Sequence, residues 1–111
     1  MDIDYNKQIG IKISVKTKSK ISYIFIEEIL FITCSGNFCT ITLIDKREID
    51  IVRPLKEFEE DLKNYNFLRA NHHTLVNGKH ISEVKNSKGK KNIKIGNEIV
   101  HISRRKYFLF K

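Results

Sequence analysis

Short runs of alternating apolar and polar residues dominate this chain, and a single stretch repeats at helical spacing. Ile9, Ile11, Ile13 and Val15 alternate with Gly10, Lys12, Ser14 and Lys16. A period of two puts the apolar set on one face of a strand and the polar set on the other. Thr40-Ile41-Thr42-Leu43 and Glu48-Ile49-Asp50-Ile51-Val52 follow the same rule, joined by a tight turn at Asp45-Lys46. Tyr23–Ile26 is a shorter apolar run. Ile29-Leu30-Phe31-Ile32 has no polar alternation, as expected of a strand covered on both faces. Ile81–Val84, Ile93 with Ile95, and Glu98–Ile102 supply further strands, and Tyr107–Phe110 closes the chain with aromatics. Ser35-Gly36-Asn37 and Gly96-Asn97 are turn signals, the second suited to a type II′ hairpin. Lys85–Asn92 reads as a basic loop.

The exception begins at Pro54, whose fixed φ suits a first helical turn. Leu55, Phe58 and Leu62 then share one helical face, and Asn64 is the expected stop. The spacing predicts a short helix over about 54–63. Its other face carries Glu57, Glu59, Glu60 and Asp61 against Lys56 and Lys63. No repeat and no linker interrupt the chain. One mainly β domain with one short helix is expected over 9–111, after a tail at 1–8.

Charge is unevenly spread. Residues 1–68 carry ten Lys and Arg against eleven acids, a net of −1. Residues 69–111 carry eleven Lys and Arg against two acids, Glu83 and Glu98, a net of +9. A one-sided basic field suits a polyanion such as nucleic acid, or an anionic membrane surface; a plainly solvated Lys-rich surface is the bland alternative. No apolar run approaches the roughly 18 residues of a membrane-spanning helix. The acidic start, Met1 to Tyr5, is unlike a secretory signal. The expected setting is the cytoplasm, where Cys34 and Cys39 stay reduced. They flank Ser35–Phe38, and a disulfide between them would lock that turn.

The helix narrows how nucleic acid can be met. A helix-turn-helix reader lays a recognition helix against phosphates and base edges. Here the one helix is acidic and would repel them. Recognition must then come from loops or strand ends in the basic half.

Phe67-Leu68-Arg69-Ala70-Asn71-His72-His73-Thr74-Leu75-Val76-Asn77, followed by His80-Ile81, resembles the LytTR family of DNA-binding domains. Glu28-Ile29-Leu30-Phe31-Ile32 leading to Gly36-Asn37-Phe38 is similar to that family's strand and Gly-Asn-Tyr loop. Ile102-Ser103-Arg104-Arg105 is similar to its C-terminal Ser-Arg signature, and Leu55–Leu62 sits where the family has its helix. The likeness covers about residues 10–110 in order. It implies an elongated fold of small antiparallel sheets, and a bacterial, cytoplasmic transcription factor domain of the response-regulator, two-component kind. It also implies double-stranded DNA as partner, with inter-strand loops in successive major grooves. Two copies on direct repeats, and a homodimer on DNA, follow from the same likeness. Nothing here resembles a receiver domain, so either the chain is a fragment or it works with another regulatory input absent from it; no membrane partner is expected.

Three sites are then expected to carry recognition. In the first, Asn37 and Phe38 stand in the loop; Phe38 either touches a thymine methyl or packs in the core. In the second, Asn71 can pair with adenine, and His72 can donate to guanine or phosphate; His73 replaces the family's Ser. Arg69 either contacts DNA or braces this loop from below. In the third, Arg104 is assigned to a base and Arg105 or Lys106 to phosphate, since neighbours in a strand face opposite ways. Lys85 and Lys88 add sequence-blind attraction. Asn77 reads as a turn residue capping local backbone.

His72, His73, His80 and His101 lack metal-ligand spacing. No nucleophile, base and orienting acid stand together, and no Gly-rich phosphate loop precedes a helix. No cofactor, metal or enzymatic activity is expected. Two other classes remain open: an RNA-binding β module stacking bases on Tyr107, Phe108 and Phe110, and a protein-interaction domain.

Overall fold

The computed structural model describes residues 10–110; Ile9 and the tail at 1–8 lie outside the described residues. β1 (Lys12–Lys16) and β2 (Ile21–Phe25) form a two-stranded ribbon. β3 (Ile29–Ser35), β4 (Phe38–Leu43), β5 (Glu48–Val52), β6 (Phe67–Asn71) and β7 (Thr74–Asn77) form a sheet in the order β5-β4-β3-β7-β6. β8 (Ile81–Ser87), β9 (Lys90–Ile95) and β10 (Glu98–Ile102) form a third sheet, β10-β9-β8, with β10 beside β6. Every pairing is antiparallel. The one α-helix among the described residues, α1 (Leu55–Leu62), links β5 to β6.

β3 stands between two cores, which is why its sequence lacks alternation. Ile29, Ile32 and Cys34 join Val15, Ile24, Ile41, Leu43, Phe58 and Leu62. Leu30 and Phe31 join Val76, Ala70, Ile93, Ile95 and Ile102. A register shift between Ile29 and Phe31 lets consecutive apolar residues feed both sides. Each such buried side chain contributes roughly 1.5–3 kcal/mol relative to exposure.

α1 buries Leu55, Phe58 and Leu62, as its spacing predicts. Pro54 stands just outside it, extended at ψ 142°. The helix tightens into a 3-10 turn over Lys63–Tyr65, and the stop falls on Asn66 rather than Asn64. Asn66 takes the left-handed conformation, φ 64°, which Asn tolerates better than most residues.

Three other sequence expectations change. Lys85–Asn92 is not a loop: β8 and β9 run through it to a two-residue turn, Lys88–Gly89. Both turn residues have positive φ, 53° and 78°, the pattern of a type I′ hairpin. Polar strands are possible there because residues 82–90 are exposed on both faces of the hairpin, and strand pairing uses backbone groups. Arg104–Leu109 is a 3-10 helix rather than a strand, and Phe110 behind it is buried. The β6–β7 hairpin carries no alternation to announce it, since its polar residues are absorbed internally; Thr74 and Asn77 are buried.

Finally, Cys34 and Cys39 are joined in a disulfide rather than reduced. They face each other across β3 and β4 with Cα atoms 4.0 Å apart. The Cys34 N–H points away to the His73 carbonyl at 2.8 Å, so this is a non-hydrogen-bonded pair, the position where opposed side chains come closest.

Candidate nucleic-acid interface

Backbone and side-chain bonds bring the recognition segments to one end of the molecule. Thr33 pairs with Thr74 across β3 and β7, and Cys34 bonds to His73. The turns at 36–37 and 72–73 therefore leave the sheet on the same side. Ser103 N–H donates to the Ala70 carbonyl at 2.9 Å, which joins the exit of β10 to β6. Ile102 pairs with Lys91, so the Lys88–Gly89 tip lies beside Ser103. The Tyr107 hydroxyl holds that tip: it donates to the Gly89 carbonyl and accepts from Lys91 N–H, both at 3.3 Å.

The first turn exposes Asn37 and Phe38. Gly36 takes φ 61°, a conformation that favours glycine. Phe38 is 55% exposed, so its ring points out of the core. The Asn37 carbonyl accepts from Arg53 N–H at 2.6 Å. Arg53 lies over the Phe58 ring and pairs with Glu57 and Asp61. Burial works against its charge, but the hydrogen bonds it donates to Asp61 and Glu57 outweigh that and raise its pKa.

The second turn exposes both His72 and His73, with rings edge-to-face at 4.9 Å. Asn71 has neither end of its amide free. Its Oδ1 accepts from His73 N–H at 2.8 Å, and its Nδ2 donates to the His101 carbonyl at 2.7 Å. The first of these is the local turn that Asn side chains commonly make. Arg69 lies beneath the turn. It donates to the carbonyls of Asn71 (3.1 Å) and His72 (2.9 Å) and pairs with Glu59 at 2.8 Å.

In the third segment Arg104 and Arg105 are exposed and Lys106 is half-buried. No carboxylate pairs with them among the described residues. On a 3-10 helix, Arg104 and Arg105 diverge by roughly a third of a turn rather than facing opposite ways. Lys88 is exposed at the hairpin tip, and Lys85 is exposed 3.6 Å from Glu83 of its own strand. Asn77 is buried; it accepts from Lys79 N–H at 3.0 Å and also donates to the Ile29 carbonyl at 2.9 Å.

The acids of α1 are largely spent within the protein: Glu57 and Asp61 on Arg53, Glu59 on Arg69, Glu60 on Lys63. Among the described residues no cluster of His, Cys, Asp and Glu is arranged to hold a metal ion, and no helix is long and apolar enough to cross a membrane. Tyr107 and Ser103 complete this end of the molecule. Only their place beside basic residues hinted at it in the sequence.

A β scaffold that lines one end with cationic, imidazole and amide-bearing turns is built to meet a polyanion through its strand connections. The sequence profile of the LytTr DNA-binding domain matches residues 19–111, and the chain belongs to that family. DNA binding in transcription regulation is the family's general role. Among solved structures it resembles the LytTr DNA-binding domain of a protein described as a methyl-accepting/DNA response regulator from Bacillus cereus. The TM-score is 0.73 at 17% identity, covering 88% of this chain and 91% of that one. A search of curated proteins finds no match.

Proposed function

We propose that this end of the molecule reads duplex DNA by entering successive major grooves with its turns, two copies binding a pair of direct repeats. His72 and Arg104 contact base edges, and Phe38 meets a thymine methyl beside Asn37. His73, Arg105, Lys106, Lys88 and Lys85 contact backbone phosphates. Arg69 and Asn71 act as positioning residues that hold the second turn at a set height against β10. The observation that carries this is the hydrogen-bonded continuity from Cys34 through His73 and Asn71 to His101 and Ser103. It joins three separate sequence segments into one surface. Of the three aromatics considered for stacking single-stranded RNA, Phe110 is buried, Tyr107 is tied to the hairpin tip, and Phe108 alone is exposed.

Selection from a random duplex library tests the reading. The expected winners carry two short motifs in the same orientation; no enrichment, or preference for single strands, would overturn it. Arg104→Ala then costs about 1–3 kcal/mol and relaxes discrimination at one base pair. Equal weakening on every sequence would move Arg104 to a phosphate.

A further inference from the structure

The β1–β2 ribbon ends in a second cationic tip that none of the assignments above uses. Residues 12–26 contain Lys12, Lys16, Lys18 and Lys20 and no acid. Lys16, Lys18 and Lys20 are exposed, and none pairs with a carboxylate among the described residues. The tip is closed by Thr17: its N–H donates to the Lys20 carbonyl at 2.9 Å, and its Oγ accepts from Lys20 N–H at 3.3 Å. A cleft of about 560 Å³ separates this tip from the end of the five-stranded sheet, with Lys16 to Lys18 on one wall and Phe38, Ile51 and Val52 on the other. Asp50 also lines it, and its carboxylate accepts the Thr40 hydroxyl at 2.8 Å.

We propose that the Lys16–Lys20 tip is a further contact for DNA backbone phosphates, flanking the Phe38 turn on the side away from Arg104. This rests on the DNA reading of the turns. The cleft places the tip beside Phe38, while Arg104 and Lys88 lie beyond the second turn. The end of the molecule then runs from lysines, through the Asn37–Phe38 and His72–His73 turns, to arginines and lysines. Cations occupy both flanks and the candidate base readers the middle. Lysine is a compact charge on a flexible stem, fitted to phosphate and indifferent to sequence. The duplex carries a charge every 1.7 Å or so, so backbone extending past the first turn keeps phosphates within reach. The family profile begins at residue 19, so β1, Lys16 and Lys18 precede the matched stretch.

The test measures binding of the whole chain to the selected duplex across a salt series. It uses a duplex carrying a single motif, either cut to that motif (the core duplex) or extended by about ten base pairs, a helical turn, on each side. The variant Lys16→Gln/Lys18→Gln/Lys20→Gln is compared with wild type, and Lys→Arg at the same positions controls for folding. On the extended duplex the Gln variant should flatten the slope of log K against log salt by about 2–3, the release expected for three phosphates. The preferred sequence should stay the same, the arginine variant should keep the wild-type slope, and the core duplex should not distinguish the three proteins. Equal slopes for Gln variant and wild type on the extended duplex would overturn the contact while leaving the DNA reading standing. Wild-type protein that ignores both duplexes would overturn both.

Discussion

Asn71 shows how a side chain suited to base recognition is given another task by its neighbours. Its carbonyl and amide are each held by backbone groups, one inside the turn and one on β10. Losing both bonds should cost about 1–3 kcal/mol, so Asn71→Ala should lower the urea midpoint and DNA affinity together. Asn71→Asp keeps the acceptor for His73 N–H but sets a carboxylate oxygen against the His101 carbonyl and a negative charge beside the DNA, so it should lower DNA affinity at least as much as Ala. Unchanged stability with an altered base preference would instead return Asn71 to adenine recognition. Arg69 follows the same logic. A half-buried guanidinium already sharing its donors among two carbonyls and Glu59 has few left for DNA, whereas Arg104 has no internal partner among the described residues.

Each recognition element is a short connection braced from outside itself. The first turn is braced by the Cys34–Cys39 disulfide behind it and by Arg53. A cross-link closing so small a loop stabilises by about 2 kcal/mol in the chain-entropy account. Dithiothreitol, or Cys34→Ser/Cys39→Ser, should lower the unfolding free energy by that amount in denaturant titration and leave the far-ultraviolet circular dichroism native. Insensitivity to reduction would show that the bond adds nothing to the fold. The helix was easy to read because three large apolar residues at helical spacing need no partner to be recognised. The β8–β9 hairpin was hard because lysines and asparagines carry little periodic signal. Its turn rests on two positive φ angles at Lys88 and Gly89, and its pairing shows only in the register.

Across the whole molecule, charge and shape act together. The basic half supplies the flank holding Arg104, Arg105, Lys106, Lys88 and Lys85, while the acids of α1 pair with cations of the scaffold. If each copy neutralises about five phosphates, log K on the core duplex should fall with log salt at a slope near −4 to −5. A slope near zero, measured by fluorescence anisotropy, would mean that phosphates do not dominate binding.

Period-two runs, one helical stretch and the order of its motifs sufficed to make this a mainly β LytTR domain, because burial of one strand face or one helix stripe is written locally in spacing. Which polar residues face outward was not written there. Asn71, Arg69 and Tyr107 belong to the same residue classes as the DNA readers. Asn71 is turned inward by the meeting of β6 with β10, Tyr107 by that of the β8–β9 tip with the last 3-10 turn, and Arg69 by Glu59 of α1, because hydrogen-bond partners ten to thirty residues away are set by packing and not by neighbours in the chain. The disulfide was decided in the same way, by a register that puts two cysteines opposite each other at the closest point of the ladder.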